Sequence, residues 1–419
     1  MKIQVSDSFL SWIVAIVFLL PLSISGGGVS GKPIDFVLSD LVLVGFYLFS
    51  IFGLLVRGSA AFPDGLVTYI ASFIVMYCAV LAIFGVMFSG DVLPIFSMFK
   101  FIKPFFFIGM GWWWAKAFGY NGVCRMAYVA GFVLVGIFFS DLVYGDFPHG
   151  CGVEGRWGGC VGGYEVYGFP NSAASFIVIL LVFVLSAYFA RLRGQLFFIS
   201  TAFLAVILGV LSLSRAAWIF IAWVFLIWIL LDGYRMLVAP SRSIGIVFLV
   251  FFLVGISLLF LMGGDLIAGV LNKFSFSMER SDVTSGRADI WMRALDLISQ
   301  KPLFGYYFES FSRYMPGFDT PHNQYLEWLY KIGFVGLVLL FVLFLLAVAS
   351  VVQVYQSTPV YSRQAIAMLS FGGFFGVLIN GLFQPIISFS LVGNLLMLCI
   401  GAVAYFAKSR WIEREGVIR

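Results

Sequence analysis

The chain has 419 residues, of which 62% are hydrophobic and 11% are charged, and its mean hydropathy is +1.05. A soluble domain cannot bury that much apolar surface, so the composition excludes a soluble globular protein and indicates one whose solvent is the lipid bilayer. The net charge of +5 does not indicate a nucleic-acid partner, because the basic residues are scattered along the ends of hydrophobic segments and form no patch.

Twelve segments are predicted to cross the bilayer, since a membrane-spanning helix needs about 20 mostly apolar residues. The eighth is short, and only Gln384 and Pro385 separate the last two, which predicts a helical hairpin. Lys2 precedes the first segment and small residues follow it, as in a signal peptide, but we interpret it as a retained span. The predicted spans are Phe9–Ser25, Phe36–Val56, Leu66–Phe88, Ile95–Ala115, Val123–Val143, Ser172–Ala190, Leu196–Leu213, Ala216–Leu231, Ile244–Met262, Ile332–Tyr355, Ala365–Phe383 and Ile386–Phe406.

The basic residues near the span ends predict the orientation, because cytoplasmic loops carry an excess of lysine and arginine. With both termini inside, the short outer loops carry only Lys32, Arg156 and Arg215. The long stretch from Gly263 to Gly333 then lies outside the cytoplasmic membrane. The inner side carries Lys2, Arg57, Lys116, Arg125, Arg191, Arg193, Arg235, Arg242, Arg363, Lys408, Arg410, Arg414 and Arg419.

These features predict an all-α polytopic membrane protein with about 12 transmembrane helices and one large periplasmic helical loop. We see no internal repeat, which weakly disfavours a transporter built from repeated halves. The chain divides into transmembrane helices 1–9 at residues 1–262, a periplasmic loop with amphipathic helices at 263–331, and transmembrane helices 10–12 with a cytoplasmic tail at 332–419.

A second outer loop, from Tyr144 to Pro170, is rich in glycine and contains His149, Cys151 and Cys160. An oxidising outer compartment would permit a Cys151–Cys160 disulfide. A zinc site here would lack a fourth ligand nearby. The remaining cysteines lie within predicted spans and are expected to be small core residues; they are Cys78, Cys124 and Cys399.

The large loop is predicted to contain an amphipathic helix that begins near Arg287. Apolar residues recur at helical spacing, Ser285 is a candidate N-cap, and Lys301-Pro302 is a stop signal. A helix N-terminus favours anions, and a guanidinium there strengthens the site. A solvated or headgroup-facing arginine is the alternative interpretation. The predicted apolar face consists of Ile290, Trp291, Ala294, Leu295 and Ile298.

His322 is one of only two histidines in the chain. Thr320 is a candidate N-cap and Pro321 suits the first helical position, which would put His322 in the first turn of the helix leading into the tenth span. A helix N-terminus disfavours a cationic imidazole, and a neutral imidazole is what a proton acceptor requires. A structural histidine is the alternative.

Arg215 lies in the short turn between the seventh and eighth spans, against the positive-inside trend. A charge held at that depth is a candidate functional residue, although a snorkelling anchor is the alternative. Lys100 and Lys103 lie at the outer end of the fourth span. With Arg287, these cations predict a pocket for a phosphate or pyrophosphate headgroup.

The sequence contains no DxD triplet, HExxH, Walker loop or GxSxG motif, and the acidic residues of the outer loops are dispersed. Leaving-group stabilisation is therefore expected from arginines, with no metal and no other cofactor.

The ordered motifs SRAAW, GRADIW, KPLFGYYFESF and PHNQYLEWLYKIGFVG resemble the bacterial O-antigen ligase and polymerase superfamily. The resemblance covers about residues 200 to 340 in motif detail and the whole chain in topology. One departure is that GYYFESF lacks the glycine-rich form common after PLFG. The resemblance implies a GT-C-like, inverting glycosyltransferase of the bacterial inner membrane. Its essential residues would map onto Arg215, Arg287 and His322.

The donor implied by this resemblance is a glycan on undecaprenyl pyrophosphate, and the acceptor is the lipid A–core oligosaccharide. Arg215 and Arg287, with Lys100 and Lys103, would bind the pyrophosphate, and His322 would act on the acceptor hydroxyl. O-antigen polymerase and protein O-glycosyltransferase activities use the same residues and remain alternatives. A lipid or sugar transporter is the alternative from another class, but it would need cations along a path through the bilayer rather than at one face.

Overall fold

The computed structural model describes residues 7–20, 23–29, 32–57, 65–144, 160–161, 164–165, 170–212, 214–238, 287–357, 360–388 and 390–417. Most of these residues are helical. The α-helices are α1 (Asp7–Leu19), α2 (Leu38–Arg57), α3 (Leu66–Ser89), α4 (Leu93–Tyr144), α5 (Pro170–Phe189), α6 (Gln195–Leu211), α7 (Arg215–Val238), α8 (Arg287–Gln300), α9 (Gln324–Ser357), α10 (Val360–Ala367), α11 (Phe375–Gly381) and α12 (Ser390–Val417). A π-helical segment, Met368–Phe374, connects α10 to α11, and short 3₁₀ turns occupy Phe311–Arg313 and Ile386–Ser388.

Two short antiparallel hairpins depart from the all-α prediction. Strand β1 (Ser23–Val29) pairs with β2 (Lys32–Val37), and β3 (Cys160–Val161) pairs with β4 (Tyr164–Glu165). The first predicted span is therefore too long, because α1 ends at Leu19 and β1 begins at Ser23. Pro21 lacks a backbone donor and disfavours helix at the residue before it, which explains the early end of α1.

Among the residues that the structure describes, six helices are long and apolar enough to cross a membrane by length and composition, which makes the chain a multi-pass membrane protein. Further apolar helices are shorter and coincide with parts of predicted spans; they are Phe9–Leu19, Leu38–Leu48, Gln195–Leu211 and Arg215–Leu231. The predicted ninth span, Ile244–Met262, lies outside the described residues, so the total of twelve stays a prediction. The six long segments are Leu66–Ser89, Leu93–Val143, Asn171–Phe189, Gln324–Gln356, Arg363–Gly381 and Leu391–Ser409.

The fourth and fifth predicted spans lie within one long element, α4, which is interrupted at Gly119. The backbone there has φ 56° and ψ −149°, a conformation that glycine adopts without a steric penalty. The helix axis is therefore broken between the two predicted spans, as two separate crossings require.

Helices α4 and α12 approach each other closely through glycine. A side chain at Gly111 would meet the backbone of Leu398, and one at Gly401 would meet the backbone of Ile108. Small residues allow such close approach between helices in a bilayer, where packing rather than hydrophobicity drives association. This pair forms the centre of the bundle, and its buried side chains belong to one continuous apolar core.

Helix α7 runs antiparallel to the segment that continues from α10 through the π-helical turn to α11. Near one end, the Gln364 side-chain amide donates to the Leu231 carbonyl at 3.2 Å. Further along, the Trp223 indole N–H donates to the Phe371 carbonyl at 2.6 Å. The C-terminal end of α11 therefore lies beside the N-terminal end of α7.

Candidate active site

Helix α8 supports the predictions made for its two ends. It begins at Arg287 and ends at Gln300, immediately before Lys301-Pro302. Its buried face consists of Ile290, Ala294 and Leu297, whereas Leu295 is half exposed. The buried face is thus rotated slightly about the helix axis relative to the predicted one. Residues at i, i+4 and i+7 lie on one side of the helix and pack against the loop that follows it. The candidate N-cap Ser285 lies outside the described residues.

The N-terminal residue of α8 contacts the turn between α11 and α12. The Arg287 guanidinium donates from Nη1 to the carbonyl oxygen of Phe383. This turn is the tight connection predicted around Gln384 and Pro385.

The predicted position of His322 in the first helical turn is wrong. Helix α9 begins at Gln324, and Asn323 is its N-cap, with Oδ1 accepting from the amides of Tyr325 at 2.9 Å and Leu326 at 3.1 Å. His322 lies before the cap, with a left-handed backbone at φ 53°. Thr320, the predicted cap, instead accepts from the His322 amide at 3.4 Å. Asn323 caps in its place because its carboxamide reaches two unpaired helix amides.

The start of α9 holds the same turn that Arg287 contacts. The Asn323 side-chain amide donates to the Leu382 carbonyl at 2.8 Å. Gln324 is fully buried, and its Oε1 accepts from the Ile387 amide at 2.8 Å. Arg287 and the His322 segment therefore converge on one turn, which we call the 381–388 turn.

The environment of His322 favours the neutral imidazole. Burial lowers its pKa, the nearby Arg287 charge lowers it further, and Glu327 acts in the opposite direction. The edge of the ring faces Phe318, with 6.0 Å between ring centroids. The direction agrees with the sequence prediction, but the cause is desolvation and a neighbouring guanidinium. A neutral imidazole in this place can accept a proton from a hydroxyl.

Arg215 lies at the N-terminus of α7, at the same level as the 381–388 turn. Phe220 packs directly against Gly376, where a Cβ atom would clash with the ring. Arg215 is five residues before Phe220, and Gly381 is five residues after Gly376. With a rise of 1.5 Å per residue in both antiparallel helices, Arg215 and Gly381 reach the same height. The fold therefore places Arg215, Arg287 and the His322 segment at the same end of the bundle.

The two lysines predicted to bind pyrophosphate differ in their surroundings. Lys103 forms an ion pair with Asp40 at 2.8 Å, and Asn394 donates to the other carboxylate oxygen of Asp40 at 3.2 Å. Lys100 is exposed near the start of α4. Since Asp40 is itself buried, Lys103 neutralises a carboxylate inside the bundle. A role for either lysine in phosphate binding stays a prediction.

Sequence reasoning missed several polar residues that build the site. Besides Asn323 and Gln324, the buried carboxylate of Glu327 is paired with Lys331 one helical turn along α9. The spacing of Glu327 and Lys331 is visible in the sequence as an i,i+4 pair. The hydrogen bond that the Ile387 amide donates to Gln324 joins residues 63 positions apart, so no local sequence pattern reveals it.

Within the described residues, no group of three or more histidines, cysteines or carboxylates is arranged to hold a metal ion. Cys78 is a fully buried core residue, as expected, while Cys124 and Cys399 are partly buried free thiols. His149 and Cys151 lie outside the described residues, as does the side chain of Cys160, so the disulfide stays a prediction.

Residues 199–341 match the family described as O-antigen ligase. This stretch contains Arg215, Arg287 and His322, and it runs from α6 into α9. No curated protein matches the chain.

Proposed function

We propose that the chain transfers a glycan from undecaprenyl pyrophosphate to the lipid A–core oligosaccharide, because residues 199–341 match the family described as O-antigen ligase. The observation that carries this proposal is the convergence on the 381–388 turn. Arg287 binds the turn directly, the residues that follow His322 also bind it, and Arg215 lies at the same level of the bundle. One guanidinium beside a half-buried neutral imidazole, with a second at the same level of the bundle, suits a reaction that expels an anion and removes a proton.

In the proposed reaction, the acceptor hydroxyl oxygen attacks the anomeric carbon of the donor glycan. The bond from that carbon to the pyrophosphate oxygen breaks, with inversion at the anomeric centre. The hydroxyl proton passes to the neutral imidazole of His322. Undecaprenyl pyrophosphate leaves with its negative charge neutralised by Arg215 and Arg287, so a metal ion is not needed.

The proposal places this end of the bundle on the periplasmic face of the inner membrane, in keeping with the distribution of basic residues. O-antigen polymerase or protein O-glycosyltransferase activity would use the same groups with another acceptor. Assays with each acceptor in reconstituted vesicles separate these activities.

The experiment that tests the division of labour compares donor binding with turnover. His322→Ala should lose about 10²–10⁴ in rate, the usual value of general-base assistance, yet bind undecaprenyl pyrophosphate normally. Arg215→Ala and Arg287→Ala should weaken that binding, with poor rescue by lysine where the contact is bidentate. Arg293→Ala is the matched control, because this exposed arginine of α8 pairs with Asp296 and lies away from the turn.

Two outcomes would contradict the assignment. Full transfer activity in His322→Ala would make the histidine structural. Loss of transfer in excess EDTA, restored by magnesium or manganese, would reject charge stabilisation by arginines alone.

A further inference from the structure

A second cleft lies on the loop between α8 and α9, apart from the groups used in the proposed reaction. Its volume is about 460 Å³, and it is bounded by Phe88 at the end of α3 and by the loop residues Lys301, Tyr307, Glu309, Arg313 and Tyr314. We call it the Tyr307 cleft. The proposed transfer reaction assigns no role to these residues.

The walls of the Tyr307 cleft combine aromatic rings with charged groups. Tyr307 packs on Phe88, with 5.5 Å between ring centroids, and Tyr314 forms another wall. Aromatic rings offer flat apolar faces, which suit the C–H faces of a pyranose ring. The surrounding charged side chains offer hydrogen bonds to sugar hydroxyls.

The charges of the cleft favour a negatively charged occupant. Lys301 lies 4.6 Å from the centroid of the Tyr306 ring and 5.3 Å from that of Tyr307, so cation–π contacts position its ammonium. Glu309 is buried, and it accepts from the Tyr314 hydroxyl at 2.8 Å and from Arg313 at 3.3 Å. The cleft is thus lined by one carboxylate and two cations, which leaves an excess of positive charge. The Arg313 side chain is 57% exposed and reachable from solvent.

The backbone beneath the cleft is strained. Tyr307 and Phe308 are consecutive residues with left-handed φ values of 53° and 66°. Such conformations are unfavourable for non-glycine residues and persist where the surroundings hold them. Phe308 is fully buried against Phe101. The left-handed backbone therefore directs the Phe308 ring into the core while Tyr307 lines the cleft.

The cleft and the candidate active site share one loop. Tyr314 lies eight residues before His322, which limits the separation of their backbones to roughly 29 Å. Tyr314 also packs on Tyr306, and Phe318 contacts the imidazole ring of His322. An oligosaccharide of several sugars can therefore occupy both places at once.

We propose that the Tyr307 cleft binds a sugar that carries a negatively charged substituent, as a subsite of the glycan substrate remote from the reacting bond. This inference rests on the proposed function for the identity of the glycan. The same chemistry can come from the acceptor oligosaccharide or from the donor glycan.

The test measures binding of lipid-free probes to the purified full-length protein in nanodiscs. The probes are the phosphorylated core oligosaccharide, the same oligosaccharide after phosphatase treatment, and the donor glycan released from its lipid. Lys301→Gln and Arg313→Gln should each weaken binding of the probe that occupies the cleft about tenfold, the loss expected for one charge-assisted hydrogen bond. Arg313→Lys keeps the charge and should retain most of the affinity, and Arg293→Gln should have no effect.

The probe whose binding is weakened identifies whether the negatively charged sugar belongs to the acceptor or to the donor. Weaker binding of the phosphorylated core, together with weak binding of its phosphatase-treated form, assigns the cleft to the acceptor. Weaker binding of the released donor glycan assigns it to the donor. Unchanged binding of both glycans overturns the proposal, as does absence of glycan binding to the unmodified protein.

Undecaprenyl pyrophosphate binding and transfer by the same variants separate this inference from the proposed function. Glycan binding that depends on Lys301 and Arg313 supports the cleft even where transfer is absent. If the variants still transfer glycan, and glycan binding is unchanged when Lys301 or Arg313 is substituted, the proposed function is supported and the proposed cleft subsite is rejected.

Discussion

At the scale of single residues, the state of His322 depends on what surrounds it rather than on a helix terminus. The imidazole precedes the N-cap of α9, with a left-handed backbone. Burial and the charge of Arg287 both lower its pKa from the ordinary value. The residue proposed to bind the leaving group thus also keeps the proposed base neutral.

This coupling predicts a change in the pH dependence of transfer. Only neutral His322 accepts a proton, so the rate falls as the pH drops through its pKa. Because that pKa is lowered, the unmodified protein should keep its rate to a more acidic pH than an ordinary histidine would permit. Arg287→Gln removes one cause of the lowering, so the acidic limb of its residual activity should move to higher pH.

The measurement is kcat against pH at saturating donor. Arg293→Gln, which removes an exposed cation from the same helix, is expected to leave the limb in place. If the acidic limb of the pH–rate profile of Arg287→Gln is unchanged or moves to lower pH, the titrating group is not beside Arg287.

At the scale of elements, the loop after α8 crosses a break in α9. The amide of Phe334 donates to the Pro302 carbonyl at 2.8 Å, and the amide of Val335 donates to the Leu303 carbonyl at 3.2 Å. Helix α9 is non-helical at Gly333, which has φ 65° and ψ −171°. The break frees backbone donors of α9 for the loop, and the loop packs directly on the exposed backbone.

Gly333→Ala should therefore destabilise the protein by about 2 kcal/mol or more. An alanine methyl would strain the left-handed backbone and clash with the backbone of Leu303 and Phe304. Gly317→Ala separates the two causes, since Gly317 has φ 89° but no atom within 4 Å of an added Cβ. It should cost only about 1–2 kcal/mol for strain alone. Thermal unfolding in detergent measures both, and equal losses would contradict the close crossing.

Asn323 joins two elements and should show two separable roles. Asn323→Ala removes the cap of α9 and the bond to Leu382, and it should cost about 1–3 kcal/mol in stability along with much of the transfer rate. Asn323→Asp keeps a capping oxygen but replaces the donor to Leu382 with a carboxylate oxygen, which repels the Leu382 carbonyl.

The aspartate variant should therefore keep most of the thermal stability and lose transfer activity, because the 381–388 turn is no longer held against the His322 segment. The readouts are the unfolding temperature and the transfer rate. Equal stability loss in both variants would contradict the capping role, because the aspartate keeps a capping oxygen and differs only in its contact with Leu382.

At the scale of the whole molecule, the helix bundle places the proposed catalytic residues at one of its ends. The start of α7, the start of α8, the cap of α9 and the 381–388 turn meet there, although they come from widely separated parts of the chain. The distribution of basic residues predicts that this end faces the periplasm and that both termini face the cytoplasm.

Reporter fusions measure this orientation. Alkaline phosphatase fused after residue 300 should be active, and phosphatase fused after residue 419 should be inactive. A cytoplasmic reporter at the same two positions should give the reverse pattern. Strong phosphatase activity at the C-terminal fusion would contradict an even number of spans with both termini inside.

The sequence by itself determined the features that depend on short stretches of chain. Composition established a multi-pass membrane protein, and hydropathy located most helices to within a few residues. Lys301-Pro302 marked the C-terminal end of α8, because a stop signal acts over a single turn. The ordered motifs between residues 200 and 340 indicated a resemblance to O-antigen ligases, and residues 199–341 match the family of that description.

The tertiary structure decided the features that depend on distant partners. Asn323 rather than Thr320 caps α9, because its side chain also reaches Leu382, 59 residues away. Lys103 faces Asp40 across 63 residues of sequence, and no local pattern reveals that pairing. His322 is held outside the helix, and its pKa is lowered by burial and by Arg287, a neighbour brought there by folding. Periodicity and capping report on one turn of backbone at a time, whereas these contacts exist only once separate helices pack together.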